Sequence, residues 1–203
     1  MIKARIFGVC RHRLATDGEG ITTLVAFSGC PLRCKYCINK ESWDDAASKE
    51  YTPESLYEAV KIDHLYFLAT HGGVTFGGGE PMLQVGFISE FRKLCGLQWN
   101  LTLETSLNVP HENVVALNDV VNNFIIDIKD CNALIYKNYT GIENAVVIEN
   151  LQWLLQNGNQ ERIMVRVPHI PQYNTDEDVQ KSIALLQAMG VQHVDEFEYV
   201  IRV

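Results

Sequence analysis

The sequence predicts an α/β protein, a partial (β/α)6 barrel of parallel strands forming a single domain across residues 1–203. Three observations lead there. Six β-rich runs alternate with amphipathic helical runs, the loops between them are short, and no linker, low-complexity stretch or internal repeat interrupts the order. Such alternation argues for βαβ units, and right-handed crossovers wind them into an open or partly closed barrel. With 203 residues and 47% apolar content, the chain is long enough to bury one sizeable core.

Residues 21–29 (ITTLVAFSG) are the first β-rich run. In TPESLYEAVKIDHLYFLAT, Thr52 is placed as an N-cap with Pro53 at the first helical position. Apolar residues recur there at Leu56, Ala59/Val60, Leu65 and Leu68. A short buried strand over 72–76 leads into GGGEP, then a helix over about 84–95 and a strand over 100–105. A helix near 111–117 precedes the strand 123–129 (NFIIDIK). NAVVIENLQWLLQNG reads as a helix stopped by Gly158. The strand 162–167 (RIMVRV) follows, then PHIPQYN and a helix over 176–189 capped by Thr175 and ended by Gly190. One more strand, 193–203, closes the chain.

The net charge is −8, from 17 basic and 25 acidic residues, so no broad basic field points to nucleic acid or an anionic membrane. The basic residues Lys3, Arg5, Arg11 and Arg13 gather near the N-terminus and read as a solvated face. No signal-like stretch and no run of 18 apolar residues occurs, which leads to the expectation of a cytoplasmic protein. In a reducing compartment a tight cysteine cluster is metal-binding or catalytic before it is a disulfide framework.

In parallel α/β folds the reactive groups collect where loops leave the carboxyl ends of the strands. After the first strand come Cys30, Cys34 and Cys37, and after the second come Gly77, Gly78, Gly79, Glu80 and Pro81. The third ends at Glu104, Thr105 and Ser106, the fourth carries Asp127 and Lys129, and the fifth carries Arg166. Charged residues inside runs such as FIIDIK are costly unless they serve a site. Blander roles exist for each: GGGEP as a helix-entry turn, Asp127 and Lys129 as a pair of their own, Arg166 as a structural ion pair. His64, His71, His111, His169 and His193 are assigned to surface or loop positions, and Cys10, Cys95 and Cys131 to buried thiols.

The loop GCPLRCKYCINK holds three thiols in eight residues. Structural zinc usually adds a second Cys pair; none is present, although Cys10 with His12 would supply a fourth ligand. C-x₃-C-x₂-C wraps one compact object and suits a cubane iron–sulfur cluster with one iron left open. Three inert buried thiols are the remaining reading.

TDGEGITTLVAFSGCPLRCKYCINKESW resembles the opening of the radical S-adenosylmethionine (SAM) enzymes. GGVTFGGGEPMLQ, DIK and MVRVPHIPQYNTDED extend the resemblance to the activating enzymes of glycyl radical enzymes, of the pyruvate formate-lyase type, over residues 8–203. The resemblance implies a 4Fe–4S cluster on Cys30, Cys34 and Cys37 that chelates SAM. It places Tyr36, Asn39, Gly78, Gly79, Glu80, Lys129 and Arg166 around SAM, with Glu80 toward the methionine amino group and Lys129 and Arg166 toward its carboxylate. Glu104, Thr105 and Asp127 match a monovalent cation site. It further implies an electron from flavodoxin or ferredoxin, reductive cleavage of SAM to a 5′-deoxyadenosyl radical, and removal of a glycine Cα hydrogen from a partner enzyme. A monomer is expected.

Several positions depart from the family pattern. Asp17-Gly18-Glu19-Gly20 stands for Asp-Gly-Pro-Gly, Gly77 for a serine, and Glu104 for a shorter Asp. The chain ends at EFEYVIRV where relatives continue, so a shortened C-terminus and a more open barrel mouth are expected. Another radical SAM reaction, on a peptide, on anaerobic ribonucleotide reductase or on a small molecule, is the alternative within the same chemistry. A non-catalytic iron–sulfur or zinc module is the alternative outside it.

Overall fold

A computed structural model describes residues 2–14, 16–44, 46–158 and 160–201. Its elements in chain order are β1 (Ala4–Leu14), β2 (Ile21–Phe27), β3 (Lys49–Tyr51), α1 (Pro53–Val60), α2 (His64–Thr70), β4 (Gly73–Gly78), α3 (Val85–Cys95) and β5 (Asn100–Thr105). They continue as α4 (His111–Asn118), β6 (Asn123–Asp127), α5 (Ala133–Thr140), α6 (Ala145–Asn157), β7 (Ile163–His169), α7 (Asp176–Ala188) and β8 (His193–Glu198). The strands make one sheet in the order β3-β1-β2-β4-β5-β6-β7-β8. All neighbours from β2 to β8 pair in parallel, which supplies the six expected strands of an open barrel wall.

Helix boundaries follow their capping chemistry. Thr52 and Ser55 form a reciprocal capping box under Pro53 of α1, and Thr175 and Asp178 form another at α7. The expected long helix after Thr52 is broken by a 3₁₀ turn at Lys61–Asp63. That turn shifts the helical phase, so Leu65 and Leu68 point outward at 76% and 42% exposure instead of entering the core. Phe67 takes the inward place.

Strands β1 and β3 and helix α5 lie beyond the sequence expectation. β1 pairs antiparallel with β2 and with β3, and register shifts at Ile6/Gly8 and Cys10/Arg13 scramble the period-2 pattern that would have revealed it. α5 is capped by Asn132, which accepts from the backbone N–H groups of Leu134 and Ile135, and ends at Gly141 in a left-handed conformation. The expected last strand stops at Glu198, and Arg202 and Val203 lie outside the described residues.

The core between sheet and helices is aromatic-rich, with Phe27, Phe67, Phe76, Phe87, Phe91 and Trp99 buried. His64, expected at the surface, accepts the indole N–H of Trp99 at 2.8 Å. The N-terminal cations are neutralised: Lys3 pairs with Glu50, Arg13 with Asp17, and Arg11 with Asp63.

Asp63 ties α1–α2 to the sheet. Its buried carboxylate accepts from Arg11 Nε at 2.7 Å and Nη2 at 2.5 Å, from Thr23 at 3.3 Å, and lies 3.0 Å from His12 Nε2. Asp63→Ala is expected to cost about 2–3 kcal/mol, because Arg11 stays partly solvated while Thr23 loses its acceptor. In a thermal melt this lowers the midpoint by roughly 4–12 °C. The Arg11 guanidinium holds the Asp63 carboxyl below its ordinary range. The contribution is therefore present above about pH 4 and lost as pH falls through the lower folded value. The gap between wild type and variant should narrow in strong acid; a constant gap would refute the assignment.

Candidate active site

The topology carries the expected residues to one rim. Along β5, β6 and β7 the apolar side chains Leu101, Leu103, Phe124, Ile126, Val165 and Val167 face the helix-side core. Period-2 alternation then puts Glu104, Asp127 and Arg166 on the opposite face. Asp127 stands across from Arg166 in the β6–β7 ladder, and Glu104 stands across from Ile125, two residues before Asp127.

These groups open onto a cavity of about 230 Å³. It is lined by Cys30, Cys34 and Cys37, by Asn39, by Gly78, Gly79 and Glu80, by Glu104 and Thr105, and by Asp127, Lys129 and Arg166. Every residue expected at the site is there except Tyr36. Tyr36 packs instead against Tyr139 and Tyr173 and donates its hydroxyl to Gln172 at 3.0 Å. Phe197 and Tyr199 complete the lining. No sequence motif marks them, but Tyr199 donates to the Tyr36 carbonyl at 2.8 Å and lies under the Lys129 ammonium.

The cysteine loop is held by backbone hydrogen bonds. Gly29 N–H donates to Ser42 at 2.7 Å, and Arg33 and Lys35 N–H donate to the terminal carbonyls of α5 at Thr140 and Tyr139. All six cysteines are free thiols. Burial pushes the Cys30 thiol up to about 12 and Cys34 to about 11. Cys10, against expectation, is exposed and sits on β1 opposite Leu24, and His12 is committed to Asp63, so neither lines the cavity. Among the described residues no three His, Cys, Asp or Glu side chains close around a single ion.

The GGGEP loop is stitched to the cysteine loop, with Gly79 N–H donating to Phe27 at 2.8 Å and Glu80 N–H to Gly29 at 2.7 Å. A Cβ on Gly79 would fall 2.3 Å from the Gly29 oxygen, so only glycine allows this approach. The Glu80 carboxylate is fully buried. Oε1 accepts from Thr105 Oγ1 at 2.7 Å and Met82 N at 3.1 Å, and Oε2 from Ser106 N at 2.9 Å and Ser106 Oγ at 2.7 Å. Burial raises its pKa against these four donors. This cage fixes the carboxylate and the loop that carries it at the cavity, which Glu80 lines. Asn39 Nδ2 donates to the Gly78 carbonyl at 3.0 Å.

Lys129, only 8% exposed, donates to Asp127 Oδ2 at 3.0 Å. Burial would lower its pKa, but Asp127 and Cys34 outweigh this and hold it above its ordinary value. Arg166 Nη1 donates to Glu104 Oε1 at 2.8 Å and Nη2 to the Thr16 carbonyl at 2.5 Å. Burial, with Asp127 nearby, pushes Glu104 up to about 7. Asp127 Oδ1 is buried without a hydrogen-bond partner. His169, expected at a surface or loop position, instead ends β7 with its side chain largely covered and bound to Glu196 at 2.7 Å.

Three thiols, a glycine loop of close-packed backbone and two strand-end cations around one cavity suit a compact inorganic group together with an anionic organic ligand. Two solved structures share the architecture. Streptococcus suis SuiB bound to S-adenosylmethionine superposes with a TM-score of 0.65 at 13% identity, covering 89% of this chain and 42% of that one. A domain of pyruvate-formate lyase-activating enzyme from Bacteroides vulgatus gives 0.50 at 26% identity, covering 63% and 78%. In sequence, the chain is 32% identical over 165 residues to the pyruvate formate-lyase 1-activating enzyme of Escherichia coli K12. That match covers 80% of this chain and 66% of the relative, so the chain spans just under two thirds of that protein's length. The pyruvate formate-lyase-activating enzyme of Listeria monocytogenes is 32% identical over 193 residues, 90% of this chain and 77% of that one. The family model of the radical SAM superfamily matches residues 24–186, from within β2 to within α7, and takes in the cysteine loop and all of the rim strands from β4 to β7. The chain belongs to that superfamily.

Proposed function

We propose that this chain is a radical SAM activating enzyme that acts as one core domain and installs a glycyl radical on a partner enzyme. The observation that carries the reading is the meeting of all three thiols of the cysteine loop with Lys129 and Arg166 in one cavity. Cys30, Cys34 and Cys37 would hold a 4Fe–4S cluster, since their loop offers three soft donors and no fourth. When bound and reduced, by flavodoxin or ferredoxin, that cluster supplies the electron that splits SAM and so starts glycine Cα hydrogen abstraction.

The chain's own residues do the positioning. Lys129 and Arg166 neutralise the SAM carboxylate, the loop of Gly78, Gly79 and Glu80 receives the methionine amino group, and Asn39, beside the nucleoside, orders that loop through the Gly78 carbonyl. Tyr36 contributes its main chain beside the adenine, with its ring as a packing group. Phe197 and Tyr199 wall the cavity and keep water from the reacting carbon. A cytoplasmic monomer suits this role.

After anaerobic reconstitution the protein should hold about four irons per chain. Reduction with SAM should release methionine and 5′-deoxyadenosine, and a glycyl radical enzyme added as partner should gain a doublet in electron paramagnetic resonance. SAM left intact under these conditions would overturn the enzyme reading. SAM cleaved without a glycyl signal on any partner tested would move the protein to another radical SAM substrate.

A further inference from the structure

The two carboxylates on the inner rim each already have a cation from this chain. Arg166 donates to Glu104 Oε1 at 2.8 Å and is itself held by the Thr16 carbonyl at 2.5 Å, and Lys129 donates to Asp127 Oδ2 at 3.0 Å. The Thr105 hydroxyl is spent twice over, donating to Glu80 and accepting from Leu107 N–H at 3.0 Å. Asp127 Oδ1 is buried and unpartnered, but it is one oxygen on a carboxylate bound to an ammonium. Hard cations gather several oxygen ligands, and a fixed ammonium repels them.

Gly77 explains how Glu104 reaches its partner. A Cβ at residue 77 would lie 2.9 Å from Glu104 Oε2, 3.3 Å from Glu104 Cβ and 3.3 Å from Leu24 Cδ1. The glutamate side chain therefore fills the space that a side chain on β4 would take. Two departures from the family pattern, a missing side chain at 77 and an extra methylene at 104, occupy one another's volume.

We propose that Glu104, seated by Gly77, is a positioning residue that fixes Arg166, and that this internal ion pair stands in place of a bound sodium or potassium ion. The role of Arg166 toward SAM rests on the reading given under Proposed function; the ion pair itself does not.

The test begins with the ligand-free protein, melted in sodium, potassium and tetramethylammonium chloride at equal ionic strength. Equal midpoints are expected; a saturating rise specific to sodium or potassium overturns the proposal and leaves the radical SAM reading intact. Gly77→Ser and Glu104→Asp are then melted singly and together. The serine should lower the midpoint alone and do so much less in the Glu104→Asp background, whereas additive effects refute the shared volume. Last, Glu104→Gln keeps the size and loses the charge. In the reconstituted protein it should raise the SAM dissociation constant about tenfold while leaving SAM affinity indifferent to sodium and potassium. Affinity equal to wild type, or a new cation requirement in wild type, removes the positioning role. If wild type binds no SAM at all, the site reading fails, while the melts still decide the ion pair.

Discussion

Glu80→Ala is expected to lower the thermal midpoint by roughly 8–20 °C, the largest stability loss of any single change at this site. The side chain is completely buried and accepts from two backbone N–H groups and two hydroxyls. Truncation strands those donors. The Thr105 and Ser106 hydroxyls turn to new acceptors more easily than Met82 N–H and Ser106 N–H do. Each backbone donor left dry costs about 1–3 kcal/mol, and with the lost packing the total reaches about 4–5 kcal/mol. Glu80→Gln keeps the volume and one carbonyl acceptor but turns an NH₂ toward two donors, so about half the loss is expected. A melt of Glu80→Ala within ~2 °C of wild type would mean that the carboxylate is not caged. The consequence runs past stability, because Glu80 and Gly79 are hydrogen-bonded to the segment Phe27–Gly29 that delivers Cys30. Loosening this cage should also lower iron retention on reconstitution.

The rim could be read from sequence because parallel topology makes strand ends and active groups coincide. Cys30, Glu80, Glu104, Asp127 and Arg166 each follow or end an apolar run, and one sheet carries all of those runs. What could not be read depends on relations between distant residues. β1 is hidden by its register shifts and by Arg11 and His12, whose shared partner, Asp63, lies some fifty residues further along the chain. Glu80 reads as a ligand-facing carboxylate in GGGEP, and only the arrival of Thr105 and Ser106 makes it an internal cross-link as well. Tyr199 has no motif, yet it reaches both the Tyr36 carbonyl and Lys129. The exchange of volume between Gly77 and Glu104 was visible as two separate departures, and the sheet joins them. Local chemistry announces itself in sequence, whereas pairing waits for the fold.

Cys34→Ala is expected to abolish SAM cleavage, by at least about a thousandfold, or about 4 kcal/mol in the barrier, while leaving the ligand-free protein folded. The two effects separate because of where the thiol sits. Cys34 belongs to a small satellite core with Leu32, Tyr139 and Ile170, apart from the main core, and its loop is fixed by backbone hydrogen bonds to Tyr139 and Thr140. Removing one sulfur there costs about 1–2 kcal/mol, since most of the surrounding contacts are between the other side chains. The loop has no spare donor to replace it: Cys10 stands on β1 opposite Leu24, Cys95 is buried at the end of α3, and Cys131 contacts the Ser182 carbonyl. Cys95→Ala is the matched control, a buried thiol removed from the main core. It should lower the midpoint by a similar amount yet keep about four irons per chain and full SAM cleavage. Iron content and 5′-deoxyadenosine formation, measured side by side for the two variants, decide the matter. If Cys34→Ala retains both, the three thiols of the cysteine loop are not acting together. If Cys95→Ala loses both without unfolding, the site extends beyond the cavity that Cys30, Cys34 and Cys37 line.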